Sequence, residues 1–123
     1  MKKTEASSSI IFRHWLKANY KKFDSCAFEM KDTRGKSVFT MSELKEEQCN
    51  HALACKSDKG NFMRTTGTVG IADYIFLRNA YSYVVIRYPK AFYIIDIDDL
   101  LLFKGKSLKE TDAYLMAIET IKL

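Results

Sequence analysis

Proline and glycine are scarce in this chain, with one proline and five glycines in 123 residues. That excludes collagen-like, proline-rich and glycine-linker architectures. Cysteine is also sparse: Cys26, Cys49 and Cys55 form an odd set with no C-x-x-C pair. A disulfide framework is therefore not expected, and reduced thiols in a cytoplasmic protein are the simpler reading. Long apolar runs are missing. Residues 10–16 are interrupted by Arg13 and His14, and residues 91–103 by Asp96, Asp98 and Asp99, so neither a secretory signal nor a membrane span is expected. There is no G-x-S-x-G, no Walker loop and no G-x-G-x-x-G. A serine hydrolase elbow, a P-loop and a Rossmann dinucleotide site all lack support.

What is present suits one packed domain over residues 1–123, since 47 % of the residues are hydrophobic. The formal net charge of +5 is compatible with a polyanionic partner but does not identify one.

Hydrophobic spacing predicts a helix over 5–19, opened by Thr4, with Ile11/Trp15 and Phe12/Leu16 forming one stripe. Residues 25–31 alternate as a strand, Cys26, Phe28 and Met30 facing one way and Ala27, Glu29 and Lys31 the other. A polar turn, Asp32 to Lys36, follows. Thr40-Met41-Ser42-Glu43 reads as a capping box opening a helix to about Cys55, with Leu44, Gln48, Ala52 and Cys55 on one face. Strands are expected near 62–66, 71–77, 83–88 and 92–97, with Pro89 in a turn. A short helical turn is expected at 98–102. A second capping box, Ser107 to Glu110, predicts a final helix to about Ile121. The expected order is α-β-α-β-β-β-β-α, an α/β (α+β) fold with helices covering a mixed sheet whose central strand carries Glu29 and Lys31, with Asp73 on a neighbouring strand.

Glu29 and Lys31 carry the chemistry. Two residues apart on a strand, they emerge from one face, where a carboxylate can hold Mg²⁺ (or Mn²⁺) and an ammonium can orient water or stabilise phosphate charge. A solvated ion pair is the plain alternative for so short a motif. Cys49, His51 and Cys55 invite a zinc reading, but their spacing fits no usual zinc motif.

In sequence order, Phe28-Glu29-Met30-Lys31-Asp32-Thr33, the helix bearing Gln48, and Tyr83-Val84-Val85-Ile86-Arg87-Tyr88 resemble the PD-(D/E)XK nuclease superfamily. The nearest likeness is to RecU-type Holliday-junction resolvases and small phage relatives, over roughly residues 5–103. The resemblance implies a restriction-endonuclease-like domain that hydrolyses DNA with Mg²⁺, acts on branched DNA and works as a homodimer. Tyr81, Tyr83, Tyr88 and Tyr93 on the aromatic-rich strands would offer surface for such a dimer or belong to the core. The resemblance also implies that Glu29 binds metal with an aspartate, assisted by Glu5 of the first helix, with Gln48 orienting Lys31. The family places its aspartate before the E-x-K strand. Here Asp24 faces the wrong way, and Gly70-Ile71-Ala72-Asp73-Tyr74 looks like the family's G-x-x-D-Y motif displaced downstream, making Asp73 the expected metal ligand. Thr33, Arg34 and Lys36 could contact phosphates near the cut or form a plain solvated turn, and Lys2, Lys3, Arg13, Lys17, Lys21 and Lys22 could track the DNA backbone or form a charged helix face. Two other classes stay open: a non-catalytic DNA-binding accessory protein, and a nuclease acting on linear DNA or RNA.

Overall fold

In a computed structural model, the described residues are 5–19, 23, 26–64 and 74–123, without the side chains of 5, 6 and 64. The elements run α1 (Glu5–Asn19), β1 (Cys26–Asp32), β2 (Val38–Thr40), α2 (Glu46–Lys56), β3 (Asn61–Arg64), β4 (Tyr74–Leu77), β5 (Tyr81–Tyr88), β6 (Ala91–Asp96), α3 (Ile97–Leu101), β7 (Ser107–Lys109), α4 (Glu110–Met116) and β8 (Glu119–Lys122). The expected mixture of helices and a mixed sheet is present.

The main sheet has the order β1-β5-β6-β8. β1 runs parallel to β5, and β6 is antiparallel to both β5 and β8. β5 is buried over 82–88, as befits a strand covered on both faces, and so its sequence is a nearly unbroken apolar run. On one face Val84, Ile86, Tyr88 and Ile95 pack with Ala52 of α2, Leu100 of α3, Ala113 of α4 and the facing pair Phe39 and Leu108. On the other, Tyr83, Val85, Phe92, Ile94 and Ile121 pack with Phe12 of α1 and with Phe23. The result is three layers: α1, the sheet, and the remaining helices. No described helix is long and apolar enough to cross a membrane.

Several expectations need correction. β1 lies at the end of the sheet among the described strands, and β5 is central. In α1 the buried stripe is Ser8 and Phe12, with Trp15 and Leu16 partly covered, while Ile11 is 40 % exposed. Thr4 lies outside the described residues. Thr40 does not cap α2. It ends β2, whose pairing with β7 continues into the Met41 N–H to Lys106 carbonyl bond, and its hydroxyl makes no cap bond to the single 3₁₀ turn at Met41–Glu43. α2 starts three residues later.

Ser107 likewise belongs to strand β7, and α4 begins at Glu110 with Lys109 N–H held by Asp112 at 3.1 Å. The expected last helix stops at Met116. Beyond it Glu119–Lys122 pairs with β6, because an uncovered strand edge leaves backbone groups wanting partners and Thr120-Ile121 are β-branched. The turn at Asp98 is helical as expected, with Asp96 accepting from Asp98 N–H at 2.9 Å and Lys56 bonded to Asp98. Of the four tyrosines, Tyr83, Tyr88 and Tyr93 are buried and Tyr81 is exposed.

Two buried phenols tie the sheet to the C-terminal elements. Tyr88 donates to the Leu108 carbonyl and Tyr93 to Glu110, each at 2.6 Å. Burial raises Tyr88 far above an ordinary phenol, and burial, then the Glu110 bond, push Tyr93 up to about 12. Above pH 10 the unfolded chain releases protons that the fold retains. The stability from these groups is therefore complete below pH 10 and is lost as the pH rises toward 12. Melting temperature measured from pH 9 to 12 should fall, and Tyr93→Phe should flatten the fall; an unchanged slope would contradict this.

Candidate functional site

Parallel strands need a long crossover, and between β1 and β5 it carries α2. The Ser82 hydroxyl donates to the Ala52 carbonyl at 2.7 Å and Ala80 N–H to the Cys55 carbonyl at 3.0 Å, pinning the C-terminal half of α2 over β5. The first half of α2 then lies beside β1. Strand alternation puts Phe28 and Met30 against the α1 core, and Glu29 with Lys31 on the α2 side. This is the shared face that their spacing implies.

Glu29 lines an open depression of about 420 Å³ with Phe28, Glu47, Gln48, His51 and Met63. Liquid water occupies about 30 Å³ per molecule, so the space suits a hydrated ion and a phosphate group. Lys31 is buried, at 7 % exposure. Cys49 lies within the field of both. Burial pushes its thiol up, the Glu29 and Glu46 carboxylates push the same way, and Lys31 and a backbone hydrogen bond pull it down. The sulfur therefore stays a neutral thiol near pH 7.

Gln48 lines the same depression, and its side-chain carbonyl oxygen accepts from Lys45 N–H at 3.0 Å. That bond satisfies one of the orphan donors at the start of α2. Gln48 was expected to orient Lys31; the bond it makes is to the Lys45 N–H. His51 is held by a 2.9 Å contact between Nε2 and the Met63 sulfur. Glu47, one helical turn before His51, escaped the sequence reading, and His51 entered it only as part of the zinc set with Cys49 and Cys55. Their i,i+4 spacing was visible, but nothing in the sequence says which helix face meets β1.

The other expected residues divide. Asp73, Asp24, Lys2, Lys3, Lys21 and Lys22 lie outside the described residues, as does the side chain of Glu5. α1, which carries Glu5 and Arg13, packs on the sheet face opposite Glu29. Arg13 is exposed and borders a shallow basic hollow with Ile10, His14 and Lys17. Arg34 and Lys36 are exposed, but Thr33 is 4 % exposed and its hydroxyl donates to the Arg87 carbonyl at 2.9 Å. Thr33 thus fastens the end of β1 and cannot reach a phosphate as expected without breaking that bond.

Among the described residues no three His, Cys, Asp or Glu side chains converge to hold a metal. The donors around Glu29 still suit Mg²⁺, which binds through one or two carboxylates and keeps water on its other positions. Compared with protein-family models, curated proteins and solved structures, the chain matches none.

The placement of Cys49 gives a test of the geometry that needs no activity. Alkylation of Cys49 at pH 8, followed by peptide mass mapping, should speed up about two- to threefold in Glu29→Gln and slow by a smaller factor in Lys31→Met, because only the thiolate reacts. Rates unchanged in both variants would mean that neither side chain lies beside α2.

Proposed function

We propose that the chain is a Mg²⁺-dependent endodeoxyribonuclease of restriction-endonuclease-like fold that hydrolyses DNA phosphodiesters. The observation that carries this reading is the projection of Glu29 and Lys31 from one strand face, with Glu29 in an open depression under the first turns of α2. The order of elements supports it, since an E-x-K strand, a crossover helix and a parallel V-V-I-R-Y strand follow one another as the likeness to RecU-type resolvases implies.

Glu29 would hold the ion, with Asp73 as its second carboxylate. Described strand β4 begins one residue after Asp73, and its Tyr74 pairs with Arg64, the neighbour of the depression-lining Met63. A bound Mg²⁺ or Mn²⁺ supplies Lewis acidity and a water of lowered pKa. Lys31, shielded from bulk water, orients the attacking water and offers its ammonium to the charge that builds on the phosphate oxygens. By resemblance Glu5 would assist, and Glu47, which lines the depression, would serve beside it. Arg34 and Lys36 bind the DNA backbone. By resemblance the substrate is branched DNA and the working form a homodimer, whose two sites match the two symmetric cuts of a four-way junction.

Junction, flap, linear duplex and RNA substrates incubated with Mg²⁺ test this directly. Cutting should be fastest on branched DNA. Glu29→Gln, Lys31→Met and Asp73→Asn should each lose about 10²-fold or more in rate while keeping DNA affinity, and Asp24→Ala should remain active. DNA binding with no cutting of any substrate would favour a non-catalytic accessory role. Full activity in Asp73→Asn would remove that residue from the metal set.

A further inference from the structure

Asp32, the residue after Lys31, is an acid buried to 4 % exposure among groups that the proposed chemistry does not use. Its Oδ2 accepts from the Ser8 hydroxyl at 2.6 Å, and the Ser8 oxygen in turn accepts from Arg87 Nη1 at 3.1 Å. Ser8 is fully buried, and Arg87 is 8 % exposed with its guanidinium 5.5 Å from the centre of the Phe92 ring. Arg87 Nε has no hydrogen-bond partner among the described residues, so the contact with Ser8 is a principal polar tether of this cation. The cluster joins α1, β1 and β5.

The second oxygen of Asp32 faces outward along the chain. Oδ1 accepts from Arg34 N–H at 2.7 Å. Arg34 and Gly35 both have positive φ, 57° and 83°, and Lys36 N–H closes on the Thr33 carbonyl at 3.1 Å. These are the marks of a type I′ turn, whose first central position favours asparagine, aspartate or glycine. An arginine there is held against its own backbone preference. Thr33 anchors the other side, its N–H and hydroxyl both donating to the Arg87 carbonyl, at 3.0 and 2.9 Å. A strained, exposed arginine on a turn fixed by buried charge is costly for a simple reversal and useful for a ligand contact.

We propose that the Ser8–Asp32–Arg87 cluster is a positioning device that holds Arg34 and Lys36 as a preformed grip for DNA backbone phosphates, with Asp32 as its key positioning residue. This rests on the DNA-cleaving reading above. Five residues of extended chain span about 16 Å at most, so the grip would meet phosphates within a few nucleotides of the one at Glu29.

The test is binding of fluorescent branched DNA by the full chain, with Ca²⁺ in place of Mg²⁺ to suppress cutting, over a range of salt, beside thermal melting. Arg34→Asn suits the turn, so its melting temperature should rise by about 2–4 °C. Its affinity should fall about tenfold, and the salt slope should drop by about one phosphate contact. Asp32→Ala keeps both cationic side chains yet should lose a similar affinity, and adding it to Arg34→Asn should cost little more. Asp32→Asn, which can still accept from Arg34 N–H, should recover most of the binding even though both Asp32 variants melt earlier. A purely structural role would lower melting without this order of affinities. Wild-type affinity in Arg34→Asn overturns the proposal, and so does wild-type affinity in folded Asp32→Ala. The Arg34 variant decides alone should Asp32→Ala fail to fold. If the wild-type chain binds no DNA at all, the DNA-cleaving reading falls and this inference falls with it; wild-type binding that ignores both substitutions sinks the inference only.

Discussion

The parallel pairing of β1 with β5 is the constraint from which the rest of the arrangement follows. Parallel neighbours cannot be joined by a tight turn, so the chain between them must cross a sheet face, and the apolar side of that face demands cover. Helix α2 supplies it. Its second half is locked over β5 by Ser82 and Ala80, which forces its first half to the neighbourhood of β1. Among the described residues, a carboxylate in the middle of β1 on that face then meets α2, with Met63 of β3 beside it. Glu29 meets Glu47, Gln48 and His51 for this reason, and not through any local motif.

The opposite face of β1 shows the complementary solution. Its middle is aromatic, Phe28 sitting edge-on to Phe12 and Phe23 at 5.1 and 5.7 Å between ring centres. At its end the apolar stripe gives way to Asp32, Ser8 and Arg87. Burying a charged acid there would be costly without partners. Hydrogen bonding through Ser8 offsets the cost and couples helix α1 to the strand that carries Glu29 and Lys31. One strand thus presents catalytic candidates to one side and an anchoring acid to the other, by the two-residue alternation of its side chains.

That alternation is also why the sequence spoke clearly about β1. Cys26, Phe28 and Met30 facing away from Glu29 and Lys31 could be read directly, and so could the helix over 5–19, the β5 and β6 runs and the Pro89 turn. Three-residue strands could not, because β2 and β7 are too short to show a period and are fixed by Phe39 meeting Leu108 across the chain. The two apparent capping boxes misled for the same reason. Thr40 and Ser107 face each other in that ladder, and tertiary pairing overrode a local signal. The C-terminal segment was helical in propensity terms until the open edge of β6 claimed it. At the site, residue identity was legible for Glu29 and Lys31, but the approach of Glu47 and His51 depended on the rotation of α2, and the use of the Thr33 hydroxyl depended on the Arg87 carbonyl opposite. Neither is encoded locally.

The proposed nuclease site requires a hard divalent cation at Glu29. Titration of isotope-labelled protein with Mn²⁺, following paramagnetic broadening of assigned amide signals, locates such an ion. Broadening should centre on residues 28–31 and reach 47–51, vanish in Glu29→Gln and be displaced by Mg²⁺. Broadening centred elsewhere, or unchanged by loss of the Glu29 charge, would contradict such a site.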